Sequence, residues 1–417
     1  MSTNPEAASP GTEKPIDEVC ISDIEHWQEG PPNEIFKRMR SECPVHWSPH
    51  IAEYPEEDGF WSVTTADDVH AVSRDWETYS SAFGITALTH AILPLELTQA
   101  MFIGMDPPKH DRLKALFQRG FTPKRIAEHE GEIRAITREV LDGLGDRETC
   151  ELVTDVAQPV VSRVIGSFMG IPKEDDEVWA RLMNSILAAN DPDVNPEGVE
   201  AVMQRDVPEI FERCGKLIAE RRERPTDDLT SVLVHADLDG DRLEEHEIVM
   251  GFFLLVAAGN DSTKATYSSA MRALMEDPEQ KEKLLDDPSL VPSAVEEALR
   301  MFPAFAHFRR TANGDAELHG QKIRDGEKVV LWYVSSNRDE TRYEDPDHFD
   351  VTRNPEHQAF GAGGRHFCLG TALARLELRI LIEETLARYP GIALDGPPRP
   401  AATQFVNQLK SLPVRLR

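Results

Sequence analysis

Residues Leu243 to Met275 can form one helix of about 33 residues, roughly 50 Å long at 1.5 Å per residue. A helix of that length runs through the middle of a compact protein, so the remaining elements must pack around it. From Pro107 to about Ala236 the pattern is also mostly helical, with Asp-Pro, Thr-Pro and Ile-Pro joints near Asp106, Thr122 and Ile171. Apolar residues in Leu141–Gly170 recur at three- and four-residue spacing, as amphipathic packing requires. Further helices are expected over Pro278–Leu285, Pro292–Met301 and Leu369–Tyr389, the last with Leu369, Leu373, Leu376 and Ile380 on one face.

The β content is small. Short strands are expected around Phe60–Thr64, and hairpins between Phe308 and Leu331, where Asn313-Gly314, His319-Gly320 and Asp325-Gly326 supply turns. Phe83 to Met105 reads as a mobile cover or a broken helix, and Pro346 to Phe367 as long irregular chain. The fold class is mainly α with a small β portion. Residues 1–18 read as a disordered lead-in without the apolar core of a secretory signal.

Charge and cysteine usage narrow the function. The 417 residues include 45 Lys+Arg against 74 Asp+Glu, a net charge of −29. Such a surface repels phosphate backbones and anionic headgroups, which excludes generic nucleic-acid or membrane-surface binding. The longest apolar run, Ile248 to Ala258, is too short to span a bilayer. Five cysteines (Cys20, Cys43, Cys150, Cys214, Cys368) without a pairing pattern fit a reducing cytoplasm, and the lack of Cys-x-x-Cys argues against structural zinc. Length alone suggests two or three domains.

Four stretches carry chemistry. Phe360-Gly-Ala-Gly-Gly-Arg-His-Phe-Cys368-Leu-Gly370 places a cysteine at the start of the last helix, behind glycines that let backbone approach something flat. The helix terminus favours a thiolate, a nucleophile or metal ligand; a buried cysteine behind a turn fits the same residues. A dinucleotide loop does not, because the third glycine of its pattern falls on His366. In the middle of the long helix, Ala258-Gly-Asn-Asp261-Ser262-Thr263 predicts a local distortion, and an acid beside an alcohol can relay protons there; a kink or helix end is the alternative. Glu297 and Arg300 share one helix face and can pair, either as a solvated surface pair or, with Arg353, as a three-member network. Lys109 to Arg125 holds six basic residues and one acid, following Asp106-Pro-Pro. A solvated helix face fits this run, as does a docking site for an acidic partner or a cofactor's anionic groups.

In this order and spacing the four stretches resemble the cytochrome P450 superfamily, most closely its soluble bacterial members, over nearly the whole chain from about residue 20. The resemblance implies the P450 fold, with the long helix over a haem b (iron protoporphyrin IX) group, and a monooxygenase reaction using O2. It assigns Cys368 as the iron ligand, and His366, His110, Lys114, Arg310 and Gly370 to the haem. Glu297, Arg300 and Arg353 become a structural triad supporting the cysteine loop. Asp261, Ser262 and Thr263 become the catalytic acid and alcohols, and Leu254, Ala257, Ala258 and Ala306 pocket residues beside parts of Phe83–Met105. His307 and His90 either orient a polar substrate group or serve structure. Three departures stand out: Phe360 lies eight rather than seven residues before the cysteine, Ser262 stands where threonine is usual, and Lys114 replaces the usual arginine.

Cofactor contacts drawn from residues 110 through 368 replace two or three domains with one, over 19–417. The resemblance also implies a separate ferredoxin and ferredoxin reductase, since only 49 residues follow Cys368. Lys109, Arg112, Arg119 and Arg365 are the expected redox-partner face. A hydrophobic terpenoid, steroid or branched lipid is the expected substrate, and a cytoplasmic monomer the expected form. A haem-thiolate peroxygenase or oxidative coupling enzyme is the alternative; of another class, a haem-based sensor or binding protein.

Overall fold

The computed structural model describes residues 14–52, 54–86, 88–89, 94–187, 195–238 and 240–417. The long helix forms over Glu245–Glu276, 32 residues. Its start is a reciprocal cap in which the Glu244 carboxylate accepts a first-turn N–H and the Glu247 carboxylate accepts the Glu244 N–H at 2.8 Å. It stops where Asp277 turns to cap the next helix, Pro278–Asp286, whose first residue needs no N–H partner.

The distortion expected over Ala258–Thr263 is absent, and the helix runs through these residues unbroken. Each polar side chain there has a partner that leaves the backbone ladder intact. Ser262 Oγ donates to the Ala258 carbonyl at 2.9 Å, Thr263 Oγ1 to Glu377 at 2.7 Å, and Asn260 Oδ1 accepts from Ser162 at 2.8 Å. Hydroxyls bonded this way do not compete for the helical N–H groups.

Around the central helix pack Gln158–Met169, Asp176–Leu187, Val207–Glu223 and the last helix, Thr371–Arg388. Phe117, Phe252, Tyr267 and Leu274 are wholly buried in the resulting core. At Gly251 a side chain would leave Cβ 1.9 Å from the Phe117 ring, so the aromatic lies directly on helix backbone. In the last helix Leu373, Leu376 and Ile380 are buried as expected.

One five-stranded sheet borders the helices, in the order Val45–Ile51, Tyr54–Val63, Lys328–Trp332, His307–Ala312, Tyr79–Ser80. All neighbours are antiparallel except Tyr54–Val63 with Lys328–Trp332, where Phe60 meets Lys328 in parallel. The three expected turns are present, with Gly314, Gly320 and Gly326 at φ +105°, +74° and +82°. Within Phe83–Met105 the described residues form a short helix, Leu95–Ala100, and a turn, Phe102–Gly104, which is the broken-helix alternative. Residues 1–13, 87 and 90–93, and with them His90, lie outside the described residues. Among the described residues no helix is long and apolar enough to cross a membrane.

Candidate active site

Cys368 stands three residues before the last helix, at the end of a loop shaped by left-handed glycines. Gly361, Gly363 and Gly364 have φ of +86°, +81° and +80°, a region that costs other residues about 1 kcal/mol or more. At Gly364 a side chain would also put Cβ 2.6 Å from the Ser73 carbonyl. This path lets the Cys368 N–H donate to the Phe360 carbonyl at 2.9 Å. The glycines absorb the extra residue between Phe360 and Cys368, so Phe360 still lines the cavity, with the Arg375 guanidinium 4.8 Å from its ring centre.

Cys368 is exposed to a cavity of about 1480 Å³, counting the part open to solvent, and is surrounded by protein on its other sides. Its acidity departs from the sequence expectation. Burial pushes the thiol pKa up, and the Gly370 N–H, Lys114 and Arg375 offset only part of that rise. Desolvation of the charged form outweighs the helix terminus here.

Above the loop, cationic and imidazole groups collect: His110 Nδ1 lies 3.0 Å from Asp111 Oδ1, whereas among the described residues Arg310 and His366 have no carboxylate within ion-pair distance. His110 is buried and His366 half-buried, with ring centres 4.2 Å apart, and the buried His366 Nε2 has no hydrogen-bond partner. Burial, then Arg310 and His110, hold the His366 pKa well below its ordinary value. Arg310 is buried, and among the described residues its guanidinium hydrogen-bonds only from Nη1 to the Arg309 carbonyl at 2.8 Å. Lys114 faces the cavity but its ammonium braces the loop, donating to the Arg365 and Phe367 carbonyls, the latter at 2.7 Å. Buried donors left this short of acceptors are costly unless a ligand supplies acceptors. A flat macrocycle with two carboxylates and a thiolate-binding metal fits this set: Arg310, His366 and His110 for the carboxylates, Cys368 for the metal, glycine backbone against the plane. Gly370, expected at the cofactor, lines the same cavity.

The central helix supplies the opposite wall through Leu254, Leu255, Ala258, Gly259, Ser262, Thr263 and Thr266. Ala257 does not join them, because the helical repeat turns it to the far side, where it packs on the core. Ala306 is likewise buried away from the cavity, and Ala304, Phe305 and Phe308 line it instead. His307 points into the sheet interior, bonded through Nδ1 to the Gln404 carbonyl at 2.8 Å, its pKa pushed down to about 4 by burial.

Asp261 also lies off the cavity wall. It is buried in an ion pair with Lys264, one turn on, and the Lys264 ammonium donates to Gln158 Oε1 at 2.7 Å. The acid that does reach the cavity is Glu377 of the last helix, fully enclosed, with Thr263 as its hydroxyl donor. Burial pushes its pKa up to about 8. Sequence reasoning missed both Glu377 and Lys264; the available signal was a charged residue on the buried stripe of an apolar helix.

The triad residues are in contact. Arg300 donates to Glu297 at 2.7 and 2.8 Å, and Arg353 Nε to Glu297 Oε1 at 3.1 Å. Arg300 also bonds the Asn337 and Pro346 carbonyls, each at 2.8 Å, which ties the helix Val291–Met301 to the chain leading into the cysteine loop. On the basic segment, Lys109 is exposed. Arg112 is consumed by Asp241 and Glu247, Arg365 pairs with Asp111, and Arg119 bonds the Asp237 carbonyl at 2.6 Å. The local excess of positive charge is thus partly cancelled within the fold.

The chain matches the family description "Cytochrome P450" over residues 26–411. It is 36% identical to the methyl-branched lipid omega-hydroxylase of Mycobacterium tuberculosis, covering 97% of this chain and 96% of that one. It is 34% identical to the steroid C26-monooxygenase of the same organism, covering 97% and 98%. A solved Mycobacterium marinum cytochrome P450 in complex with pseudoionone superimposes with a TM-score of 0.86 at 37% identity, covering 92% and 94%. With its fold, its cysteine loop and these relatives in agreement, the chain belongs to the cytochrome P450 superfamily of haem b monooxygenases.

Proposed function

We propose that this enzyme inserts one oxygen atom into an apolar, methyl-branched lipid, with terpenoid and steroid skeletons in the same class, using electrons from a separate ferredoxin. The observation that carries the substrate class is the composition of the wall facing Cys368: Leu254, Leu255, Ala258, Phe305 and Phe308, joined by Phe102 and Ile103. Among the described residues, the basic side chains on the cavity are His110, Lys114, Arg310 and His366, all near the cysteine loop, leaving this wall without a cation to anchor a charged substrate. The named activities of the lipid and steroid hydroxylases support the same class.

Bound haem supplies the activation of O2, with the cysteine thiolate favouring O–O cleavage. Cys368 would hold the metal of that group, and Arg310, His110 and His366 would hold its carboxylates. Leu254, Ala258 and Phe305 exclude water and orient the substrate by shape. Ser262 and Thr263 present hydroxyls to the cavity, and Glu377, neutral at pH 7 from its pKa of about 8, stores a proton at its carboxyl beside Thr263.

A difference-spectrum screen of methyl-branched fatty acids, terpenes and steroids tests the substrate class by displacement of iron-bound water. A shift with at least one of the three supports it, and flat spectra across all three reject it. For the electron donor, Lys109→Glu and Arg119→Glu should each slow ferredoxin-driven reduction and leave substrate binding unchanged. Unchanged reduction rates reject that face. The ion pair that holds Asp261 off the cavity favours a second reading, peroxide-driven turnover. Product formed with hydrogen peroxide as fast as with NAD(P)H, ferredoxin and reductase would select it.

A further inference from the structure

We propose that Cys20, Asp23 and His50 form a binding site for a divalent transition metal, zinc by preference, that clamps the N-terminal segment to the sheet. The Cys20 thiol, an Asp23 carboxylate oxygen and a His50 ring nitrogen all lie within 4.8 Å of one another. They come from two separate parts of the chain. Cys20 and Asp23 flank the turn into Ile24–Trp27, and His50 sits on Val45–Ile51, where the strand register shifts beside it. Such irregularities re-aim a side chain off the regular pleat.

The Cys20 thiol meets the Ser22 hydroxyl at 3.1 Å, while the imidazoles around it are left open to a ligand. Among the described residues, the His50 imidazole has no hydrogen bond or ion pair, and His50 offers only its carbonyl, to the Cys20 thiol at 3.4 Å. His26 is nine-tenths buried behind the site, with Nδ1 unpartnered and Nε2 3.9 Å from Asp23 Oδ2. A histidine in that position steers a ligating carboxylate. Thiolate, imidazole and carboxylate together are a zinc-type donor set. Ligand atoms around a tetrahedral zinc stand about 3.3–3.7 Å apart, given bonds of about 2.0–2.3 Å. Contraction of about 1 Å from the present spacing is within the reach of side-chain rotation, and Asp23, about one-third exposed, leaves the fourth position to water.

The ion would act at a distance on the reaction cavity. Ser22, between the two ligands, accepts the Ala52 N–H at 3.1 Å through its hydroxyl and the Gln404 side-chain N–H through its carbonyl. The chain around Gln404 in turn carries the cavity wall: Ala306 N–H donates to the Phe405 carbonyl and Asn407 N–H to the Ala304 carbonyl, each at 2.8 Å. Sequence spacing could not show the site, because no Cys-x-x-Cys or His-x-x-x-His pair contributes.

The test uses haem-loaded protein, in which Cys368 is committed to iron, stripped with a chelator, dialysed against zinc sulfate and then against metal-free buffer. The expected result is about one retained zinc per chain and zinc-edge X-ray absorption showing one sulfur at about 2.3 Å. Cys20→Ser should lose the sulfur scattering, and His50→Gln, on an exposed position that leaves the fold intact, should weaken zinc binding at least about tenfold. Zinc should also raise the melting temperature of the parent protein and not that of His50→Gln. No retained zinc in the parent, scattering from nitrogen and oxygen alone, or undiminished binding by His50→Gln would each overturn the proposal.

Discussion

Two buried carboxylates on helices beside the cysteine loop, Glu297 and Glu377, have opposite provision from the fold. Glu297 receives four donors: two from Arg300, one from Arg353 at 3.1 Å and the Asp350 N–H at 3.1 Å. Glu377 receives the Thr263 hydroxyl, and burial pushes its pKa up to about 8. The first carboxylate is a junction of four donors that organises chain; the second is an acid that keeps its proton. Burial alone does not decide a carboxyl group's role, whereas the donors that converge on it do.

The largest effect should come from removing that convergence. Arg300→Ala should cost about 3–5 kcal/mol, because it strands a buried carboxylate, and should abolish haem retention. Urea denaturation followed with haem absorbance checks it; a cost below about 1 kcal/mol would erase the distinction between the two glutamates.

Glu377→Gln should act through pH. The folded pKa of about 8 exceeds the ordinary 4.5, so between those values the folded protein keeps a proton that the unfolded chain releases. Stability therefore falls as pH rises through this window, by up to about 1.4 kcal/mol per unit, and levels off above pH 8. Denaturation midpoints at pH 5 and pH 8 should differ less in the glutamine variant, and the variant should be the more stable at pH 8. Equal pH dependence in the two proteins would show that Glu377 is ionised in the fold.

Thr263→Val, which removes the hydroxyl partner, should cost about 1–3 kcal/mol at pH 7 and leave Glu297 and its arginines undisturbed. Thermal melting compared with Thr263→Ser, which keeps the hydroxyl, separates the hydrogen bond from the methyl group. Smallest of all, Ser262→Ala should change stability by no more than about 0.5 kcal/mol, since its hydroxyl bonds back to its own helix at Ala258. Its effect belongs instead in the ratio of product to oxygen consumed.

The legible parts of the molecule were those whose chemistry recurs along the chain. The central helix was readable from its length, and its observed ends lie within two residues of the expectation. Glu297 and Arg300 were readable because a helix brings positions three apart to one face. The cavity's distal wall was only half readable. Leu254 and Ala258 follow the helical period, but Ala306 was chosen over Ala304, Phe305 and Phe308 in a stretch with no regular repeat to say which side chains turn inward. Glu377 escaped because its partner Thr263 lies over a hundred residues away, and Lys264 because its burial beside Asp261 is completed by Gln158, a residue equally remote in sequence. The thiol's raised pKa escaped for a different reason: helix termini are visible in sequence, and the depth of burial is not.

The parallel pairing of Phe60–Val63 with Lys328–Leu331 joins segments 268 residues apart. At roughly 5–20 residues per second of synthesis, the first strand leaves the ribosome on the order of 10–50 s before its partner exists. Through that interval one edge of an apolar strand stays unpaired, and the nascent chain depends on chaperones or on its local hairpin with Val45–Ile51 to avoid association. Cys368 is made later still, so the cofactor's metal ligand appears only after both strands of that pairing have been synthesised.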